Sequence, residues 1–294
     1  SLVSQYLKSV GIKNTWLDCR NLIDTDDTYR DAKVNWQRTQ TKIKAHVDEG
    51  ELFITQGFIG SDENNFTTTL GREGSDYTAA IFAYCLDAEN VCIWKDVPGV
   101  LNGDPNVFKD TVLLNKISYE EAIELAFYGA SVIHPKTLQP LQQKEIPLFV
   151  KSFYHPENAG TAVQKANLIE PLVPCYIVKK NLVLLSLSAL DFSFFVEENM
   201  SEIFALFHKY QIKVDLIQNS AISFSVCIDN KFKNADILIE QFKAKFKVSY
   251  EKDVSLLTIR HYSEEGLKEM TKNKNILLKQ FTQETVQCVI KPSH

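Results

Sequence analysis

The stretch Thr67–Ala80, TTTLGREGSDYTAA, decides how the chain is read. Upstream of it lies Glu51–Ile59, ELFITQGFI, a run bounded by turn residues that predicts a strand. A polar turn, SDENN, separates the two, and the small apolar residues of AAIFAYCL predict a helix directly downstream. Gly71 and Gly74 let the backbone between them take conformations that other residues resist. Ser75 is the expected N-cap, which would turn the free N–H groups of the first helical turn toward the loop. Such a loop suits an anion, because those N–H groups and the helix dipole both favour negative charge. Arg72 adds a planar fork matched to a carboxylate or phosphate. Asp76 puts a carboxylate in the same turn, available to order lysines or a metal.

Outward from this loop, strand-like and helix-like segments alternate. Tyr6–Val10 reads as the tail of a helix that Gly11 ends, and WLDCR as a buried strand in which Asp18 and Arg20 are structural. VNWQRTQTKIKAHVDEG fits an amphipathic helix closed by Gly50, and NVCIWKDV a short buried strand. PGVLNGDPN is a loop, and SYEEAIELAFYGA a helix with a capping box from Ser118 to Glu121 and a stop at Gly129. IPLFVKSF is a further strand. The alternation predicts an α/β sheet, largely parallel, with ligands beyond the carboxyl ends of its strands. The loops after ELFITQGFI and NVCIWKDV are therefore the candidate sites.

The polar, proline-punctuated segment HPENAGTAVQKANLIEPLVP marks a domain junction. After it, NLVLLSLSAL, MSEIFALFHKY, KVDLIQNS and AISFSVCID read as strand, helix, strand, strand, with a helix in ADILIEQFKAKF. VSLLTIR, EEGLKEMTKN, NILLKQFTQ and TVQCVIK repeat the order. A repeated βαββ unit is a ferredoxin-like signature.

A chain of 294 residues has room for two domains, and a net charge of −5 leaves no basic footprint for nucleic acid. No apolar run approaches the ~20 residues of a membrane helix, and SLVSQYLKSVG lacks the pattern of a secretory signal. The six cysteines are scattered without a Cys-x-x-Cys pair, which predicts buried, reduced thiols in a cytoplasmic protein and no metal site.

GFIGS, TTTLGREGSDYTAA, IWKDVPGVLNGDP and ISYEEAIELAFYGASVIHP, in that order and spacing, resemble the aspartate kinases of the amino-acid kinase family over roughly the first half of the chain. The resemblance implies that the β-carboxylate of L-aspartate attacks the γ-phosphate of ATP, with Mg2+ held through the nucleotide. By motif match, Arg72 would clamp the substrate α-carboxylate, with Glu73, Gly74 and Ser75 lining the same pocket. Asp76 would be catalytic, ordering the lysines that balance charge on the transferring phosphate. Lys95 and Asp96 would lie on the nucleotide side, with Leu101, Asn106 and Ser131 as further nucleotide positions. The family usually has Thr at position 95, Tyr at 101 and Arg at 106, often Lys at 131, and commonly Gly at 73. His134 with Pro135 resembles the family's His-Pro turn and is read as structural.

The second half resembles the paired ACT regulatory domains that follow the kinase domain in that family. The implied division is residues 1–168 for the kinase part and 169–294 for two ferredoxin-like ACT units, the second without its closing helix. One unit is inserted in the other there, so CYIVKK is expected to pair with the second unit's sheet. Open sheet edges predict a homodimer through residues after about Cys175. The resemblance places an effector at Asp191, Phe192, Val214, Asp215 and Ser220. Glu197 and Glu198 make the surroundings acidic, which favours L-lysine over L-threonine. The family's opening Lys-Phe-Gly-Gly-Thr-Ser segment does not occur in these residues, so on their own they are expected to show little or no turnover. Two other readings follow from the same features: a catalytically inactive, amino-acid-sensing ACT dimer, and a kinase for another carboxylate or carbamate-type acceptor, which paired ACT units disfavour.

Overall fold

Leu2–Ser9 form helix α1, and the chain leaves it through Val10 and Gly11, which adopts φ +84°. The computed structural model describes all residues except 131, 167–168, 191–193, 195, 231–233 and 293–294. The chain divides into two compact units, one of residues 1–101 and 109–172, the other of 102–108 and 173–294.

In the first unit, β1 (Thr15–Leu17) runs into a single 3-10 turn at Cys19–Asn21, and α2 (Trp36–His46) follows. Asp18 caps that turn and takes the Arg20 guanidinium; these bonds hold its carboxyl down to about 2. Asp18 and Arg20 are thus local framework, as the sequence suggests. The predicted strand Glu51–Ile59 does not form as one piece. It splits into β2 (Phe53–Thr55), parallel to β1, and β3 (Ile59–Ser61), antiparallel to β4 (Thr67–Thr69). The break falls at Gly57 and Phe58. Phe58 takes φ +78°, and a Cβ on Gly57 would lie 3.0 Å from the Ser75 backbone. The strand is interrupted because the chain must bend closely past the glycine loop.

Helix α3 (Gly74–Leu86) buries Tyr77, Ala80, Ile81, Ala83 and Cys85, which explains its small, apolar composition. Leu22, Ile23, Ile43, Leu70, Tyr77 and Ile81 form one core around it. Next come β5 (Val91–Lys95), β6 (Lys116–Ser118), α4 (Tyr119–Tyr128), α5 (Pro135–Gln143), β7 (Leu148–Ser152) and β8 (Thr161–Gln164). The Ser118 hydroxyl accepts from Glu121 N at 3.0 Å, which is the Ser118 half of the expected capping box, and Gly129 at φ +121° ends α4 as predicted. The strands form a sheet of order β5-β7-β8-β6. Its β5–β7 and β6–β8 pairs are parallel, whereas β7–β8 is antiparallel, so the sheet is mixed. All six cysteines are free, but Cys92 is exposed against expectation. Alternation along β5 turns Val91 and Ile93 inward and Cys92 and Trp94 outward.

The second unit contains β9 (Cys175–Ala189), α6 (Glu197–Lys209), β10 (Val214–Asn219), β11 (Ser223–Asp229) and α7 (Ala235–Lys243). It continues through β12 (Phe246–Arg260), α8 (Glu264–Thr271), β13 (Lys274–Phe281) and β14 (Thr285–Pro292). The strands make one antiparallel sheet of order β10-β11-β9-β12-β14-β13. Strands β9 and β12 each serve both repeats: Phe246–Glu251 pair with Leu184–Ala189, and Leu256–Arg260 with Cys175–Lys179. CYIVKK therefore joins the second repeat's strands, as the inserted arrangement requires. The crossover lies where the register shifts, beside Asn181 at φ +60° and Asp253 at φ +56°. Val183, Leu185, Leu187, Phe224, Val226 and Ile228 share a core with residues of α6 and α7, and Leu257, Ile259, Val286 and Cys288 with Leu267 of α8. A separate cluster unites Leu216 of edge strand β10 with Leu277 of edge strand β13 through Leu182, Cys227, Val254 and Val289. The cluster takes one or more residues from each strand in turn, so a single apolar face runs across the sheet from edge to edge.

The segment 102–108, read from sequence as a loop of the first half, belongs to the second unit. Gly103 bridges to Tyr176, the Asn102 amide donates to Pro174 O at 2.9 Å, and the Phe108 ring lies 5.5 Å from that of Tyr176. No helix among the described residues is long and apolar enough to cross a membrane.

Candidate active site around the glycine loop

Thr69 closes β4, Leu70 is fully buried, and the chain then turns at Gly71, whose φ is +81°. A Cβ there would sit 2.2 Å from Asp31 Oδ1, and one on Gly74 would sit 2.6 Å from the Phe58 ring. Gly71 is favoured by its positive φ, and Gly74 by the close approach of Phe58. Helix α3 begins at Gly74, two residues before the expected start, so Ser75 lies inside the first turn and is not the N-cap. The N-cap is Glu73, in the left-handed region at φ +54°. A Gly74 N–H bond to Gly71 O at 3.1 Å closes the turn early, leaving Ser75 no capping position.

Glu73 sits awkwardly. Its Oε2 is buried without a hydrogen-bond partner among the described residues, and its Oε1 lies 4.0 Å from Arg72 Nε. A left-handed conformation costs a residue with a Cβ about 1–2 kcal/mol, and glycine escapes that cost. Glu73→Gly is therefore expected to raise the stability of the chain by about 1 kcal/mol, because glycine's greater unfolded-state entropy offsets part of the gain. A thermal midpoint lower than that of the parent chain would contradict this account.

Arg72 itself is 72% exposed, and its guanidinium has no hydrogen bond among the described residues. Asp76 lies in the first turn of α3, where the helix dipole favours its charge. Its Oδ2 accepts from Lys95 Nζ at 2.8 Å, and both side chains are about four-fifths buried, at 19% and 22% exposure. Lys95 is the last residue of β5, so the structure joins the two motif segments through one ion pair. Asp96 follows it and is exposed, and Leu101 bridges to Leu113 in the first unit. Asn106 belongs to the second unit, where its backbone N and side chain both donate to Asp104 Oδ1. Ser131 lies outside the described residues.

The sequence pattern missed Arg30, Asp31 and Lys136. Lys136 Nζ donates to Asp31 Oδ1 at 2.6 Å and to Leu70 O at 2.9 Å, and lies 5.1 Å from the Tyr77 ring centre. It thereby pins the start of the loop to α5. His134 caps α5, its Nδ1 accepting from Lys136 N at 3.2 Å, which is the structural role read for it. These residues and Arg72 line a cavity of about 490 Å3. Glu73, Gly74 and Ser75 are not in its lining. No short-range signal could have found Arg30 or Lys136, since each reaches the loop only through tertiary structure. A second cavity of about 490 Å3 is lined by Asp26, Asp62, Glu63, Lys33 and Arg38 and contains none of the motif residues. Among the described residues, no group of three or more His, Cys, Asp or Glu side chains could hold a metal.

Of the effector residues, Asp191 and Phe192 lie outside the described residues. Val214 packs against the core that α6 and α7 share. The Asp215 carboxylate is 4% exposed and accepts from Lys179 Nζ at 2.7 Å, with Lys213 Nζ at 3.7 Å. Ser220 is exposed and shares a hydrogen bond with the Ser223 hydroxyl at 2.7 Å. Glu198 is exposed.

The profile of the amino acid kinase family matches residues 1–152. Lysine-sensitive aspartokinase 3 of Escherichia coli (strain K12) is 34% identical over 269 residues, covering 88% of this chain and 60% of that protein. Two solved structures of E. coli aspartokinase III each align over 99% of this chain with a TM-score of 0.80. One, in complex with lysine and aspartate (T-state), is 30% identical and 68% covered. The other, in complex with aspartate and ADP (R-state), is 28% identical and 69% covered. The chain thus spans 60% of the length of the curated E. coli relative.

Proposed function

The chain belongs to the amino acid kinase family, and we propose that within it the chain serves an aspartate kinase, passing the γ-phosphoryl group of ATP to the β-carboxylate of L-aspartate. The observation that carries this reading is the Asp76–Lys95 pair, 2.8 Å apart, beside a loop that exposes Arg72. Phosphoryl transfer asks a protein chiefly to position two anions and to offset charge as it spreads over the phosphoryl oxygens. Arg72, exposed and with no hydrogen bond on its guanidinium among the described residues, can grip the substrate α-carboxylate through two parallel N–H bonds. Asp76 holds the Lys95 ammonium at the end of β5, where ligands of such sheets bind. Lys95 and Asp96 would face the nucleotide, with Leu101, Asn106 and Ser131 as further candidates. Mg2+ would be held through the nucleotide phosphates. Aspartate and ADP bound to the E. coli neighbour support the choice of ligands.

Residues 1–168 form the kinase part in this reading, and residues 169–294 a pair of ACT units that report amino-acid supply. L-lysine is the favoured effector and L-threonine the competitor, with Asp191, Phe192, Val214, Asp215 and Ser220 as its contacts. Asp215 already holds Lys179, so an effector ammonium would share or displace that lysine. A homodimer through the second unit and a cytoplasmic location complete the proposal.

Isothermal titration with L-aspartate and with Mg-ADP tests the reading. Binding of both in the micromolar-to-millimolar range usual for enzyme substrates, roughly 1 μM to 1 mM, is the expected result. A chain that is folded by circular dichroism yet binds neither ligand would refute it.

A further inference from the structure

The cavity beside the loop contains more positive charge than one clamp needs. Arg30, Arg72 and Lys136 converge on its 490 Å3, and Asp31, the one acid in its lining, is already paired to Lys136 at 2.6 Å. Neither the Arg30 nor the Arg72 guanidinium has a hydrogen bond among the described residues. Lys136 is offset by Asp31, and Arg72 has only Glu73 at 4.0 Å, so the lining keeps a net positive charge that an anion would balance.

Arg30 is not there by accident of a loose loop. Thr69 N donates to Tyr29 O at 2.6 Å, Thr69 Oγ1 to Arg30 O at 3.1 Å, and Ala32 N to Thr69 O at 3.0 Å. One bond to Arg30 and one to each of Tyr29 and Ala32 therefore tie this segment to the strand that leads into Gly71. On the opposite wall, His134 Nδ1 accepts the Lys136 backbone N–H. A neutral imidazole used in that way carries its proton on Nε2, which makes the remaining ring nitrogen a donor. Gln139, one helical turn beyond Pro135 on α5, adds an amide.

We propose that this cavity is the receptor for the substrate's α-carboxylate, with Arg30 and His134 as binding residues alongside Arg72. The assignment rests on the reading of Arg72 as a carboxylate clamp and extends it. Two guanidiniums and an imidazole N–H saturate the lone pairs of one carboxylate. Clamping the α-carboxylate in this way leaves the β-carboxylate unclamped, and a nucleophilic oxygen must be free of strong donors to attack. Lys136 acts behind them: it fixes Leu70 and Asp31 and so sets the position of Gly71.

The test is isothermal titration of the whole chain with L-aspartate, Mg-ADP and inorganic phosphate. Arg30→Gln removes charge from an exposed side chain, and His134→Asn keeps an N-cap while deleting the Nε2 donor. Arg30→Gln is expected to raise the Kd for L-aspartate about tenfold, the effect of one charged hydrogen bond, and His134→Asn about threefold. Mg-ADP affinity should stay within about twofold for both, and unchanged melting temperatures certify the fold. L-aspartate Kd values unmoved by both variants, while Arg72→Lys raises it, would overturn the inference and leave the proposed function standing. Tight inorganic phosphate binding that Arg30→Gln abolishes, with aspartate unaffected, would reassign the cavity to a phosphate group. No aspartate binding by the parent chain would remove the proposed substrate and this inference together.

Discussion

Asp76→Ala is expected to lower kcat about a hundredfold, with the KM for aspartate within about threefold, in a polypeptide that carries these residues and turns over. The carboxylate does not touch the substrate's α-carboxylate in the proposed arrangement; it holds Lys95 at 2.8 Å. Without it, the Lys95 ammonium gains rotamer freedom and no longer stands ready when charge spreads over the transferring phosphoryl group. That loss appears in the transition state and not in ground-state binding, so kcat falls while KM holds. Alanine is the best helix former, so α3 keeps its first turn apart from a dipole contribution of about 0.5 kcal/mol. Arg72→Lys should do the reverse. A point charge replaces a fork, so the KM for aspartate rises and kcat changes little. A hydroxamate assay with ATP and aspartate reads both constants. If Asp76→Ala retained half of the parent kcat, Asp76 would be a framework carboxylate and Lys95 its structural partner.

Much of this site was legible from local sequence, and what was not has physical causes. The Gly-rich turn, Arg72 and the strand ending in Lys95 carry their own signals of composition and spacing. The pairing of Asp76 with Lys95 was not legible from periodicity; it depends on β5 placing its last residue beside the first turn of α3. The break in Glu51–Ile59 was invisible for a similar reason, since Gly57 is required by Ser75, a residue distant in sequence. Ser75 does not cap α3, because cap preference assumes an extended N-cap, whereas Glu73 enters the helix from the left-handed region. In the second unit the repeated βαββ order was plain. The pairing of Cys175–Lys179 with Leu256–Arg260 has no local code, and only the resemblance anticipated it. Cys92 shows the limit of composition, because a cysteine's burial follows the alternation of its strand.

The second large effect lies in the second unit. Lys179→Met is expected to destabilise it by about 3 kcal/mol. Asp215 is 4% exposed, and its carboxylate accepts from Lys179 at 2.7 Å. Removing one partner of a buried pair leaves the other charge in a medium of low dielectric, which typically costs about 3–5 kcal/mol. Lys213, 3.7 Å away and 60% exposed, softens the loss without replacing the missing bond. Lys179 belongs to the half of β9 that pairs with Leu256–Arg260, and Asp215 to the edge strand β10. The pair therefore links β9 to the edge strand β10, which is not its hydrogen-bonded neighbour in the sheet. If the cost comes from the stranded carboxylate, deleting both charges should recover most of it: Lys179→Met with Asp215→Leu is expected within about 1 kcal/mol of the parent. The three tryptophans, Trp16, Trp36 and Trp94, all belong to the first unit, so their fluorescence is blind to this change. Cys227 is the better reporter. It is fully buried in the cluster between the sheet's edges, and burial pushes its thiol up to about 12, so it reacts only when the unit opens. Thiol labelling of Cys227 should quicken roughly a hundredfold in Lys179→Met and return near the parent rate in the double variant. Equal labelling rates in the parent and Lys179→Met would show that Lys213 alone satisfies Asp215. The coupling assigned to Lys179 would then be absent.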